Sequence, residues 1–513
     1  MSESQPSRLN ICMVSSEAVP YAKTGGLADV VGALAVEFSR LGHDVILVIP
    51  GYRQLVTAGS IRKEVVRMGV PTVSGAVDVG IQEILAIKTP SSARMGRLRI
   101  FVISHDASFD RSGLYQENGV DYPDNLERFS LFCRAVMEWL VRLAEHESWR
   151  TDILHLHDWQ TALCAAYLKT LYRTTRAFEN ARTILTVHNL GYQGLFPGKS
   201  FAATGLPVQY FVPKYLEFYG SVNLLKGGLV FSDALTTVSP TYSREIQTKE
   251  FGFGLEGVLL ERKNVLHGIV NGIDDSLWNP ATDPYLRHHY SVEDLAGKTR
   301  CKSDLQKEVS LPQRNVPLLA VIARLTSQKG IDLLVALMPE LAELDLQLVI
   351  LGTGDREYEQ AFTEWAERYP KKIAFKQAFD EGLAHRIEAG ADLFLMPSRY
   401  EPCGLSQLYS LRYGTVPIVR KTGGLADTVT NYAPLAAKAK RSTGFVFVDS
   451  NPESLLTSIL LALEVYRDKA EWRGIATAGM QQELNWQQSA AKYLALFQTV
   501  ALQGKQPESL PGR

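Results

Sequence analysis

Two hydrophobic patterns alternate along this chain. Short, nearly continuous apolar runs such as LNICMV at 9–14 and DVILVIP at 44–50 are followed by stretches with apolar residues three and four apart, such as LADVVGALAVEFSRLG, which closes on Gly42. The first pattern predicts strands buried on both faces, the second amphipathic helices. Strand, loop, helix and strand in that order make a βαβ unit. The pattern recurs in DILHLHDWQ (152–160), RTILTVHNL (182–190), DALTTVSP (233–240) and NVLHGIVNGID (264–274). A second series begins near Pro317 with PLLAVIARL, LQLVILGTG, KIAFKQAF, DLFLMPS and TVPIVR. A charged stretch at 284–309 between the two series predicts a connecting helix. The expectation is an α/β protein with two parallel-sheet domains, 1–268 and 269–485. An amphipathic closing helix at about 486–502 is expected to return to the first domain.

Nearly every predicted strand ends in polar residues. In open α/β sheets that edge is where ligands bind. The string KTGGLAD occurs twice, at Lys23 and at Lys421, each time with its glycines just before a helical pattern. Asp29 and Asp427 then fall in the first helical turn, where an acidic residue suits the helix dipole. Glycine lets a backbone approach a ligand closely, and the free N–H groups of a helix start favour an anion. Arg324 and Lys329, in ARLTSQKG, follow a predicted strand and can bring a guanidinium fork and a point charge to one phosphate group; the plain alternative is a solvated loop. In RYEPCGLSQLYSLRYG, Glu401-Pro402 breaks the chain after DLFLMPS and Gly404 permits a tight entry into a helix. Glu401 is thereby placed for chemistry, or else serves as an ordinary helix-start carboxylate. Cys403 has no neighbouring histidine to activate it and reads as packing or ligand contact.

His155, His157 and Asp158 end one strand, His188 and Asn189 another. An HxH pair on one strand face could begin a metal site, yet no partner cluster with ligand spacing accompanies it, and a polar strand end for a sugar-like ligand fits better. Tyr115, Tyr122, Trp159, Tyr192 and Tyr400 lie near glycine or acidic residues, where an aromatic face could meet the apolar side of a pyranose or simply pack in the core.

Composition narrows the classes. Of 513 residues 46% are hydrophobic and 21% charged, and the formal net charge is −1. That excludes a disordered chain, a collagen or a rod, and disfavours a nucleic-acid binder. No apolar run reaches the roughly 18–20 residues of a membrane span, and the polar opening MSESQPSRLN is expected to carry no targeting signal. Five scattered cysteines without CxxC spacing point to a reducing, cytoplasmic setting and to neither disulfides nor zinc. No GxGxxG follows the first strand, and no P-loop or GxSxG elbow is present, which counts against a dehydrogenase, a P-loop NTPase and an α/β-hydrolase.

Together, SSEAVPYAKTGGLADVVGALA, HDWQTAL, TVHNLGYQG, TTVSPTYSREIQT, NGIDDSLWNP, ARLTSQKG and PSRYEPCGLSQLYSLRYGTVPIVRKTGGLADTV resemble the bacterial glycogen synthase and plant starch synthase family over nearly the whole chain. The resemblance implies a GT-B fold, two Rossmann-like domains facing a central cleft, and transfer of glucose from ADP-glucose to the non-reducing end of an α-1,4-glucan, with retention and release of ADP. It implies that Lys23, Gly25 and Gly26 form the sugar-nucleotide loop and that Tyr115, Asp158, His188 and Asn189 face the donor glucose. Arg324 and Lys329 would meet the diphosphate, and Glu401 would be the essential carboxylate. Cys403, Gly404, Leu405, Thr422, Gly423 and Gly424 would line the substrate loops, with Phe379 against adenine. Many other retaining GT-B families carry a second Glu eight residues after the first; here that residue is Tyr409, and the glucan synthases share the absence of that Glu. No cofactor, metal, nucleic acid or membrane is expected as a partner, and the oligomeric state is left open. His188 is counted with Glu401, Arg324 and Lys329 as catalytic: covalent displacement through Glu401, and same-face attack with Glu401 and the His188 region stabilising the cation, both stay open, as does the nucleotide base on physical grounds alone. Two other classes compete: a metal-dependent hydrolase built on HLHD, and a non-catalytic glucan-binding scaffold, against which the intact Lys23, Arg324, Lys329 and Glu401 set argues.

Overall fold

The computed structural model of the chain describes residues 8–57, 61–85, 95–147, 149–434 and 442–503. They fall into two compact units, one made of residues up to 238 with 243–269 and the segment from Ser489, the other of 239–242 and 270–488.

Among the described residues the first unit has a nine-stranded sheet, in the order Leu266–Gly268, Ala234–Thr237, Arg182–Val187, Ile153–His157, Asn10–Val14, Asp44–Pro50, Leu98–Ser104, Gly75–Ile84 and Arg62–Thr72. Neighbours are parallel as far as Leu98–Ser104, with Cys12 opposite Ile46 on one side and Leu154 on the other. The last two strands add an antiparallel hairpin. The central strands are buried almost end to end, as their continuous apolar runs require. Chain order departs in both directions from Asn10–Val14, so the crevice beyond Val14 and His157 is a topological switch point, where doubly wound sheets bind ligands.

The helix Gly26–Arg40 buries Ala28, Val30, Val31, Leu34, Ala35 and Phe38 along one stripe. Each buried Val, Leu or Phe side chain is worth about 1.5–3 kcal/mol. The chain's last described helix, Trp486–Gln503, brings Tyr493 and Phe497 against Phe38, with ring centroids 6.3 and 5.3 Å apart.

The second unit's described sheet has six strands, all parallel: Ile373–Lys376, Gln347–Leu351, Leu318–Ile322, Leu393–Met396, Val416–Arg420 and Phe445–Phe447. Its switch point lies beyond Leu318–Ile322 and Leu393–Met396. The segments starting there are 323–330 and 397–405.

One element is not anticipated by the sequence and two local expectations change. The hairpin Arg62–Thr72 and Gly75–Ile84 has no clean apolar signal, because as an edge it exposes much of its length. Helix forms only over Ala296–Glu308 of the charged stretch, started by the Asp294 carboxylate on the Ala296 N–H. The run at 264–274 is strand only over Leu266–Gly268, after which the chain enters the second unit.

Candidate functional site

In the first unit the strand Asn10–Val14 runs into Ser15, Ser16 and Glu17, all buried. Glu17 organises the loop that leads to the helix Gly26–Arg40. One carboxylate oxygen accepts the Thr24 N–H at 2.5 Å and the Gly25 N–H at 3.3 Å, the other the Thr24 hydroxyl at 2.6 Å and the Tyr115 hydroxyl at 2.7 Å. Since Tyr115 donates to Glu17, the Ser16 hydroxyl 2.7 Å away donates to Tyr115. Burial and the Glu17 charge hold the Tyr115 phenol well above its ordinary range, so it stays a donor. Sequence reasoning does not single out Glu17. Lys23 pairs with Asp29 at 2.8 Å, and a Cβ added to Gly25 would meet nothing within 4 Å.

Asp158 joins two strand ends. Its N–H donates to Thr186 O at 3.0 Å and its carboxylate accepts the His188 N–H at 2.7 Å. Its φ of 57° is left-handed, a conformation that non-glycine residues hold only under constraint. Burial pushes the Asp158 carboxyl up to about 7, and the backbone N–H groups of His188 and Asn189 oppose that rise. Asn189 turns its side-chain oxygen to the Gly191 N–H at 2.9 Å. His188 Nε2 lies 3.0 Å from His157 Nδ1. His155 engages Thr186 at 2.8 Å. Among the described residues no three His, Cys, Asp or Glu side chains gather as a metal-binding group.

In the second unit Lys329 Nζ lies 2.6 Å from Glu401 Oε2, and the Ser398 hydroxyl donates to the same oxygen at 3.0 Å. Two further features join the segments carrying Lys329 and Glu401. Arg399 N–H donates to Gln328 O at 2.8 Å. Gly330, at φ 68°, lies so close to Pro397 O that a Cβ would come within 2.0 Å of it. Arg324, exposed on the same segment as Lys329, pairs with no carboxylate among the described residues.

The two KTGGLAD copies do different work. In the second, Gly423 (φ 42°) and Gly424 lie directly on the Glu401–Cys403 turn. A Cβ would come within 1.9 Å of Glu401 O at Gly423 and 2.1 Å of Cys403 O at Gly424. Gly424 N–H is shared between Glu401 O and Pro402 O at 3.1 Å each. Glycine here allows backbone to brace backbone. Thr422 is buried beneath them and its carbonyl accepts from Leu425 N–H at 3.1 Å. In the first copy the Glu17 carboxylate instead takes the N–H groups of Thr24 and Gly25, respectively two places and one place earlier in the string than Gly424.

Cys403 is buried, its thiol pushed up to about 12 by that burial, which makes it inert as a nucleophile. Gly404, at φ 73°, permits the turn, and Leu405 packs against a cluster containing Trp278, Leu408 and Tyr413. Tyr409 stacks on Trp278 at 3.7 Å. Phe379 stands apart after an edge strand, 92% exposed. Gly26 opens the helix Gly26–Arg40. Of the aromatics, Tyr122 lies under Arg111 and Arg128 at 4.7 and 4.9 Å, and Trp159 packs on Phe129, while Tyr192 is largely exposed.

Comparison with known proteins adds lineage to this geometry. The family model described as starch synthase catalytic domain matches residues 10–261, and that described as glycosyl transferases group 1 matches 302–477. A glycogen synthase of Anaeromyxobacter dehalogenans is 46% identical over 96% of this chain and 100% of its own length. One from Koribacter versatilis is 42% identical over 96% and 98%. The catalytic domain of starch synthase IV from Arabidopsis thaliana, solved with ADP and acarbose bound, superposes with a TM-score of 0.85 at 31% identity, covering 97% of this chain and all of that one. A sucrose-phosphate synthase from Thermosynechococcus elongatus, at 17% identity and a TM-score of 0.56, shares the fold. The chain belongs to the glycogen synthase and starch synthase family of GT-B glycosyltransferases.

Proposed function

We propose that this glycosyltransferase extends an α-1,4-glucan by one glucose from ADP-glucose, with retention of configuration and release of ADP. The observation that carries the reading is the Lys329–Glu401 pair at 2.6 Å, with Arg324 on the same segment as Lys329. Charge grows on the departing diphosphate as its bond to the sugar breaks, and a cation fixed in advance stabilises that charge without reorganising. Glu401 holds the Lys329 ammonium in place and supplies negative charge for an oxocarbenium-like sugar. Within the first unit, the polar groups read as facing a glucose are the Tyr115 hydroxyl held by Glu17, Asp158, and His188 with Asn189.

The ADP carried by the Arabidopsis relative supports adenine over uracil as the donor base. In this reading Lys23, Gly25 and Gly26 meet the donor's phosphates, and Cys403, Gly404, Leu405 and Phe379 contact the nucleotide. Thr422, Gly423 and Gly424 act through the Glu401 turn that they brace. The deciding experiment is nucleotide release from ADP-glucose or UDP-glucose in the presence of glycogen, run beside Glu401→Gln. Glycogen-dependent release of ADP, lost in the variant, is the expected result. Glycogen binding without nucleotide release would overturn the reading.

A further inference from the structure

Three imidazoles form one buried group at the ends of the strands Ile153–His157 and Arg182–Val187. His157 Nδ1 lies 3.0 Å from His188 Nε2, the His155 and His157 ring centroids are 4.1 Å apart, and His155 Nε2 lies 2.8 Å from Thr186 Oγ1. His155 and His157 are fully buried and His188 half-buried. The groups around them are mostly uncharged: Thr186 and Thr236, whose hydroxyls lie 2.6 Å apart, and the rings of Phe38, Tyr493 and Phe497 against His155. The nearest carboxylate is Asp158, which meets the backbone N–H of His188 at 2.7 Å, with Glu17 beyond it. Burial lowers the basicity of all three rings, His155 and His188 to about 3.

Between two neutral imidazoles one nitrogen donates and the other accepts. Two arrangements fit the 3.0 Å contact. In the first, His188 Nε2–H donates to His157 Nδ1, so the His157 proton sits on Nε2. That atom is buried and has no hydrogen-bond partner among the described residues. A buried N–H without a partner is among the rarest defects in folded proteins and costs about 1–3 kcal/mol. In the second, His157 Nδ1–H donates to His188 Nε2. His157 Nε2 is then an unused lone pair, a milder loss, and the His188 proton moves to Nδ1.

We propose that His157 is a positioning residue that locks His188 in the Nδ1–H tautomer, so that the ring edge turned away from His157 offers an N–H donor. This deepens the reading of His188 as a residue facing the donor glucose, and rests on it. A neutral donor orients a sugar oxygen. It neither accepts a proton as a general base nor lends positive charge to the leaving group.

The test uses the full-length enzyme labelled with 15N-histidine. Long-range 1H–15N correlations report the tautomer of each ring, and His188→Gln identifies the His188 signals. The expected pattern for His188 is Nδ1–H, unchanged between about pH 6 and 8. An Nε2–H pattern overturns the proposal from the wild-type spectrum alone, whether or not any variant folds. His157→Asn sets an amide nitrogen where Nδ1 was and should keep the pattern. His157→Leu should shift it towards Nε2–H, and an unchanged tautomer there would also overturn the proposal. In turnover, His157→Leu is expected to lose tenfold or more in kcat and gain an acid limb in its pH profile, both reversed in the Asn variant. If His188 shows the Nδ1–H pattern while His188→Gln retains full activity, the tautomer lock stands and the sugar-facing reading of His188 falls.

Discussion

Lys329 Nζ and Glu401 Oε2 sit 2.6 Å apart, and the side chains keep only 20% and 7% of their exposure. Two charges so far withdrawn from water depend on each other. Removing one strands the other, whereas removing both removes the problem. We expect Lys329→Ala and Glu401→Gln each to lower kcat by about 10²–10³. The double variant should fall no further than the worse single one, because residues acting as a unit do not add. A double-mutant cycle on nucleotide release measures this, and losses that multiply would show the two acting separately.

The same cations predict metal independence. In the proposed function Arg324 and Lys329 supply the positive charge that Mg²⁺ supplies at many phosphate sites. EDTA should therefore leave the rate of ADP release unchanged, and Arg324→Ala should lower kcat by about 10²-fold or more. A large loss in EDTA, restored by added Mg²⁺, would contradict this assignment.

Glu17 holds Thr24, Gly25 and Tyr115 through four hydrogen bonds. Replacing it with Ala leaves the Thr24 N–H and the Tyr115 hydroxyl unmatched, at about 1–3 kcal/mol for each group that stays buried. Glu17→Ala is expected to lower the melting temperature and to raise KM for the donor sugar nucleotide. Glu17→Gln, which keeps one acceptor, should fall between it and the wild type. Thermal unfolding and donor-saturation kinetics on the three proteins test the order.

The strands were legible because buried parallel strands demand unbroken apolar runs, and DVILVIP or DLFLMPS can hardly be anything else. The hairpin Arg62–Thr72 and Gly75–Ile84 was not, since an edge strand needs no continuous apolar face and this one carries charges, glycine and proline. Glu17 was hidden for a different reason. A single carboxylate in SSEAVP looks like any loop acid, and one of its partners, Tyr115, lies 98 residues away. The repeated KTGGLAD was plain, but its meaning was not. Identical strings face a carboxylate in one unit and a backbone turn in the other, and only tertiary packing decides which.

Acid should destabilise this protein in a defined window. His155 and His188 fall to about 3 in the fold, against about 6.5 in an unfolded chain. Between those values the unfolded chain binds protons that the fold refuses. Their contribution is thus complete above about pH 6.5 and is lost as pH drops, by up to about 1.4 kcal/mol per unit for each ring. Asp158, raised to about 7, has the opposite sign, because between about pH 4 and 7 the fold holds a proton that the unfolded chain releases. Urea denaturation from pH 7 to 5 should show falling stability. The fall should be shallower in His155→Gln and steeper in Asp158→Asn.

Gly25, the first glycine of one KTGGLAD string, and Gly424, the second glycine of the other, should respond differently to alanine. Gly25 has an extended φ of −159°, which any residue adopts, and a Cβ there meets nothing within 4 Å. Gly25→Ala should therefore melt close to the wild type. If a phosphate approaches that backbone, as the proposed function requires, its defect should appear as a raised donor KM with glycogen affinity unchanged. At Gly424 the same methyl would come within 2.1 Å of Cys403 O, in a turn that backbone holds in place. Gly424→Ala must push the Glu401–Cys403 segment aside, so a drop in melting temperature should accompany a loss in kcat. Side-by-side melting curves and donor kinetics separate the two glycines. A Gly25→Ala enzyme with unaltered KM would mean that no ligand comes near that loop.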